Sequence, residues 1–337
     1  MSRSRLTDAM AQDGQAADMT ISISLLVDDC APVNTMFWSD AAHEHAFLMP
    51  NALARDFGDL CARYGVRGKF SVLPMPCCLG GIDGKLSHVP PRHLADFLAI
   101  VRKKIAPRFD ITPEILTHFS AYRLTGGFHH LHEDEWIARA TVPEMTDYIA
   151  LALQILDHVG LPANGVTSPW VTGNRNEGLY AEAIAAAQWR VHRRRLSWYF
   201  LHMLGSGPAR WPWVSWRNRK RGQIVVSVPS TTDDPFWCTQ RPMSGTRRVA
   251  RAAARAGVEA LLTRDGKAGR IRELVDQDAP VLILTHWQSL FSDGTFAGLE
   301  GLAMLLERVN RRFGAGLAWT TCSDLAAQAV ASPRTRT

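Results

Sequence analysis

Residues 20–27 read TISISLLV, a stretch that alternates polar and apolar, turns wholly apolar, and ends in Asp28-Asp29. Alternation with a period of two marks a strand, and a closing apolar run marks one covered on both faces. Such a strand needs parallel neighbours and covering helices, and the rest of the chain supplies both. Residues 51–64 carry Leu53, Phe57, Leu60 and Cys61 at helical spacing. A short strand over 68–73 is stopped by Pro74, residues 91–105 read as a helix, and 114–117 as a third strand. Thr141-Val142-Pro143-Glu144 has the form of a capping box with proline in the first turn. The helix it opens runs to about Val159 and stops at Gly160. Further strands are expected at 165–167, 224–228, 281–285 and 317–319, and helices at 176–188, 246–263, 298–313 and 323–330. Strands alternating with helices imply a parallel sheet with crossover helices. About seven such units suit a distorted (β/α) barrel, with the site at the C-terminal ends of its strands.

Composition narrows the function classes. Hydrophobic residues make up 46% and charged residues 21% of the 337, which excludes wholesale disorder. No apolar run reaches the ~18 residues of a membrane-spanning helix. The six cysteines include no Cys-x-x-Cys pair, so neither a disulfide scaffold nor a cysteine zinc knuckle is expected. Residues 1–19 have no apolar signal region and read as a polar tail, as do 331–337; one barrel fills 20–330. A reduced, cytoplasmic protein is the expectation. The net charge of +6 points to an acidic partner or substrate.

Polar residues gather where the strands end. Asp28 and Asp29 close the first strand, His118 the third, Ser168 and Trp170 follow the next, Asp233 and Asp234 follow 224–228, and His286 closes 281–285. Adjacent carboxylates leaving an apolar strand call for a cation or a hydrogen-bond network, although a turn or helix cap is the alternative. His118, His129, His130 and His132 lie within fifteen residues, as metal ligands would, although each alone is as well read as a loop histidine. A histidine at the end of a buried strand, as His286 is, suits proton donation to a leaving group.

In order and context these segments resemble the polysaccharide deacetylase family, the NodB-homology domain of carbohydrate esterase family 4. Leu26-Val27-Asp28-Asp29 matches its first motif, Glu114-Ile115-Leu116-Thr117-His118 half of its second, and Leu284-Thr285-His286 its last. Val142-Pro143-Glu144-Met145 is similar to the helix opening after the second motif, Thr167-Ser168-Pro169-Trp170 loosely to the third motif, and 316–325 to the family's C-terminal end. The resemblance spans roughly 20–326 and implies a divalent metal, zinc first, held by Asp-His-His. Asp28 would be the base, His286 the acid, and Asp29 and His118 metal ligands. Two departures stand out. Tyr122 occupies the place of the second metal histidine, which His130 or His132 would then supply, with His129 a further choice. Thr167 occupies the place of the arginine that orients the base. Asp233 or Asp234 would stand for a fourth-motif carboxylate, and Trp170 and Asp234 would touch substrate.

Residues 190–222 hold eight arginines, a lysine, Trp198, Trp211, Trp213 and Trp216. As an insertion they would form a wall of the cleft, with Trp213 and Trp216 stacking on sugar rings and arginines gripping acidic groups. Nucleic acid would meet the same chemistry, but no nucleic-acid motif accompanies it. The expectation is thus a metal-dependent hydrolase removing an N-acyl group, acetyl first, from an amino sugar or glycan. The alternatives are an inactive barrel that binds carbohydrate or a partner, and a hydrolase of another non-peptide C–N bond.

Overall fold

The computed structural model describes residues 21–36, 46–240 and 245–332. The tail expected over 1–19 lies outside them; that expected over 331–337 begins at the end of the last helix, and 333–337 also lie outside. Strand β1 (Ile21–Cys30) is followed by α1 (Asn51–Tyr64), β2 (Gly68–Val72), α2 (Pro91–Ile100) and β3 (Phe109–Pro113). A hairpin of β4 (Ser120–Tyr122) and β5 (Phe128–His132) leads to α3 (Glu133–Ile137) and α4 (Val142–His158). Next come β6 (Val166–Thr167), α5 (Glu177–His192), β7 (Leu196–Phe200), β8 (Trp213–Asn218) and β9 (Gln223–Ser227). The chain continues through α6 (Arg247–Leu261), α7 (Arg270–Asp276), β10 (Val281–His286), α8 (Trp287–Phe291), α9 (Ala297–Phe313), β11 (Leu317–Trp319) and α10 (Cys322–Ala331). The expected capping box is present: Thr141 N–H donates to Glu144 Oε2 at 2.8 Å, and Glu144 N–H donates to Thr141 Oγ1 at 3.5 Å.

Parallel pairing runs β10-β1-β2-β3 in one sheet and β6-β7-β9 in the other, with β8 antiparallel on β9 and β11 parallel to β1. Two seams close these sheets into a distorted seven-stranded barrel. At one, Glu114 bridges Thr167 and Ile115 N–H donates to Thr167 O at 3.0 Å. At the other, hydroxyls of the segment after β9 supplement one backbone bond, Thr231 N–H to Leu282 O: Leu282 N–H donates to Thr231 Oγ1 and Leu284 N–H to Thr232 Oγ1. Side-chain oxygens satisfy backbone donors that no strand reaches.

Each barrel strand buries both faces. Leu25, Val27, Phe70, Phe109, Ile111, Tyr199, Val225 and Ile283 point outward into the core under the helices. Leu26, Trp198, Phe200, Val226, Leu282 and Leu284 fill the barrel together with Leu325 and Ala326 of α10. Two-sided burial is why these strands read as continuous apolar runs.

Two elements differ from expectation. The third strand lies at 109–113, and residues 114–117 are the loop beyond it. Its inward positions, Asp110 and Thr112, face a polar part of the barrel interior, so the strand lacks an apolar pattern. The segment 190–222, expected as an insertion, contains β7, a barrel strand, and β8, which pairs with β9. Among the described residues no helix is long and apolar enough to cross a membrane.

Phe70 ties sheet to helices, with ring centroids 5.4 Å from Trp287 and 5.8 Å from Phe57. Phe70→Ala should cost about 3–5 kcal/mol, read as a lowered urea midpoint at unchanged slope.

Candidate active site

Successive residues of a strand point to opposite faces, so Asp28 and Asp29 should diverge. They do not, because β1 bulges there. Val27 pairs with Phe70 and Cys30 with Val72, which leaves one extra residue on β1. Asp29 takes up that residue with φ +62°, a left-handed conformation that aspartate tolerates. Both carboxylates thereby line one cavity of ≈ 160 Å³, with Glu114, His118, Phe119, Trp170, Met203, Trp237 and His286 among its other walls. Ile115, His118 and Trp170 also have positive φ. For β-branched Ile115 this is strain, which the surrounding fold must hold in place.

Three potential ligands meet at the floor of this cavity. One donor atom each from Asp29, Glu114 and His118 lies within 4.8 Å of the other two. His118 Nε2 is 2.8 Å from Asp29 Oδ1 and 3.5 Å from Glu114 Oε1. The Asp29 contact lacks hydrogen-bond alignment, so Oδ1 is a buried acceptor with no hydrogen-bond donor among the described residues. The outer oxygens are anchored. Glu114 Oε2 accepts from Asp29 N–H at 2.6 Å and Ser71 Oγ at 2.5 Å, and Asp29 Oδ2 accepts from Gln288 Nε2 at 3.0 Å. Burial alone would raise the Asp29 carboxyl, but the charge of His118 holds it below its ordinary range. Burial, then the charges of Asp29 and Asp28, push Glu114 well up. Burial would lower His118, and the Asp29 and Glu114 carboxylates raise it to about 10. A carboxylate pair and an imidazole, with an orphaned buried oxygen between them, fit a divalent cation.

Glu133 holds the turn that carries His118. Its Oε1 accepts from the backbone N–H of Leu116 and Thr117 at 3.0 and 2.8 Å and from Tyr148 Oη at 2.6 Å; its Oε2 accepts from His118 N–H at 2.7 Å. Across the cavity His286 is fixed in the same manner. Its Nδ1 lies 2.9 Å from Asp234 Oδ2, which also accepts from His286 N–H at 3.0 Å and Ser289 Oγ at 2.6 Å. Asp234 Oδ1 accepts from Phe236 N–H at 2.8 Å. The bond at Nδ1 leaves Nε2 free to exchange a proton. Burial would lower this imidazole; the bond to Asp234 and the carboxylates around it raise it to about 9.

Of the residues singled out from sequence, Asp28, Asp29, His118, Trp170 and His286 line the cavity. Asp234, expected to touch substrate, has a side chain 5% exposed and is occupied in holding His286. His130 and His132, expected as ligands, are exposed on β5 and do not reach Asp29; the β4–β5 hairpin projects beside the rim, and His132 comes only to 6.2 Å from the Trp170 ring. Glu114 stands where the second histidine was sought. Trp213 packs on His202 at 5.1 Å and Trp216 against the core, and neither lines the cavity. Sequence reasoning missed Glu114 as a potential ligand, Glu133, Trp237 and Lys69. Trp237 carried a signal, since it follows the Asp233-Asp234 pair onto the same rim.

No family model matches this chain, and neither does any curated protein. Solved structures do. PuuE allantoinase is similar at 11% identity and a TM-score of 0.51, covering 95% of this chain and 94% of that one. A protein described as a glycoside hydrolase/deacetylase from Parabacteroides distasonis is 10% identical with a TM-score of 0.50, covering 92% of this chain and 72% of that one. A probable polysaccharide deacetylase from Pseudomonas aeruginosa PAO1 is 12% identical with a TM-score of 0.49, covering 94% of each chain. At such identities the likeness is one of fold, and that fold is the NodB-like (β/α) barrel.

Two outcomes follow from the anchoring carboxylates. Glu133→Gln puts an amide N–H₂ among backbone donors, so exchange at amides 116–118 should accelerate by about 10–100-fold in hydrogen-exchange measurements. His286 has a pKa raised from 6.5 to about 9 by folding. Its contribution to stability is complete below about pH 6.5 and fades as pH rises through about 9. In chelator-treated protein, His286→Asn should therefore cost more stability at about pH 6 than at about pH 10, as read by urea unfolding.

Proposed function

We propose that this chain is a divalent-metal-dependent hydrolase that removes an N-acyl group from an amino sugar or glycan. The reading rests on one observation: the Asp29, Glu114 and His118 donors converge at the floor of a cavity that Asp28 and His286 also line. Asp29, Glu114 and His118 would hold the ion, which when bound polarises an acyl carbonyl and lowers the pKa of water. Asp28 takes the proton of the attacking water. His286, held through Nδ1 by Asp234, gives the proton at Nε2 to the departing amine; its raised pKa keeps that proton in place near neutrality. Trp237 packs edge-on against His286 at 4.9 Å and Trp170 lies 5.4 Å from His118, both half-exposed at the mouth. Two such rings offer an apolar platform to a pyranose. Zinc accepts this donor set, and its oxygen-rich character equally suits manganese or cobalt.

A second reading, hydrolysis of a C–N bond in a small non-sugar molecule, draws on the fold likeness to an allantoinase and on the modest ≈ 160 Å³ of the cavity. Release of acetate from N-acetylglucosamine oligomers, set against hydrolysis of allantoin, distinguishes the two. Elemental analysis of chelator-free protein should find about one transition-metal ion per chain. Asp29→Asn, Glu114→Gln and His118→Ala should each lose it. Asp28→Asn should retain the metal and lose about 10²-fold or more in kcat. Folded, metal-free wild-type protein would overturn both readings in favour of a binding protein.

A further inference from the structure

Lys69 is the only fully buried lysine or arginine among the described residues, with 0% of its surface exposed. It extends from β2 into the barrel, below the cavity and not lining it. Its Nζ donates to Asp28 Oδ1 and, at 2.9 Å, to Thr167 Oγ1, which shares a 2.8 Å hydrogen bond with Thr112 Oγ1. The same ammonium sits 4.5 Å from the centre of the Phe200 ring. On its other side the barrel filling is apolar, with Leu26, Phe200 and Leu284 in one cluster. A buried ion pair returns little net stability, and a methionine would fill this space at no desolvation cost. The pair therefore needs another reason, and its geometry supplies one. With Oδ1 held from below, the Asp28 carboxylate has a single orientation, and Oδ2 is the oxygen left to accept a proton.

We propose that Lys69 is the positioning residue of Asp28, delivering from β2 the cation that position 167 on β6, two strands away, lacks. The inference rests on the reading of Asp28 as the base. Position 167 is close enough to exchange roles with position 69, because Thr167 Oγ1 and Lys69 Nζ are in contact.

The test is a set of full-length variants: Lys69→Met, Asp28→Asn, the two combined, and Lys69→Ala with Thr167→Arg, which moves the cation to β6. Lys69→Met strands a buried carboxylate and should lower Tm by about 5–10 °C, most of which the combination with Asp28→Asn regains. Losses that simply add in the combination would overturn the pairing, as would failure of both Lys69→Met and the combination to fold. In acetate release from N-acetylglucosamine oligomers, Lys69→Met should lose about 10²-fold in kcat, with KM changed less than about threefold and metal content unaltered. Lys69→Ala/Thr167→Arg should regain about tenfold or more of that loss. A folded, metal-loaded Lys69→Met with wild-type kcat would make Lys69 a filler of the barrel only. Should wild-type protein release no acetate, the hydrolase reading fails by itself, and the crystal structure of Lys69→Met decides the present one. A displaced Asp28 carboxylate supports it, and an unmoved one overturns it.

Discussion

Asp28, Asp29 and Glu114 bury three carboxylates at one rim of the barrel, and their mutual repulsion sets the terms for everything packed around them. Each is met differently. A fixed ammonium from below holds Asp28. Backbone N–H and the Ser71 hydroxyl hold one oxygen of Glu114. An amide and an imidazole face Asp29. Counted as charges, Lys69 balances Asp28 alone, and what remains between Asp29 and Glu114 is the kind of deficit a divalent cation fills. The carboxylates raise His118 against its burial, while burial first and then the neighbouring carboxylates raise Glu114.

The backbone was shaped to the same end. Strand geometry alone would send neighbouring carboxylates to opposite faces, and the bulge at Asp28-Asp29 brings them together. Left-handed residues at Asp29, His118 and Trp170 aim side chains at the cavity from three different strand ends, and the strained Ile115 turns into the core beside them. Such conformations persist only where neighbours over-determine them. Glu133, accepting from three consecutive N–H groups, performs that service for the His118 turn.

The sequence made the barrel legible because its strands are covered on both faces and so read as apolar runs. It made Asp28, Asp29, His118 and His286 legible because polar residues just past such runs must emerge at one rim. Glu114 was hidden by residue type, since a carboxylate four residues ahead of His118 was read as part of the strand. Lys69 was hidden by its place, because a lysine amid Gly68 and Phe70 gives no hint that its stem points inward. The histidine pair at 130 and 132 and the tryptophans at 213 and 216 drew attention by composition. Strand periodicity sends them elsewhere, to an exposed hairpin and to β8 packed along β9. β3 escaped because alternate positions of a strand lining a polar interior are themselves polar.

β1 lies between β2 and β10, so the earlier strand waits for a neighbour made long after it. Asp29 meets Gln288 at a sequence separation of 259, and Ile23 accepts from Thr320 at one of 297. Contacts so distant along the chain close slowly. During synthesis Asp28 and Lys69 would be neighbours long before β10, α10 and the hydroxyl seam of Thr231 and Thr232 arrive to exclude water from them. Until then, one edge of an apolar strand stands open to any other strand in reach. The order of synthesis thus makes the ribosome-bound chain, rather than the finished barrel, the stage at which this protein is most exposed to misassembly.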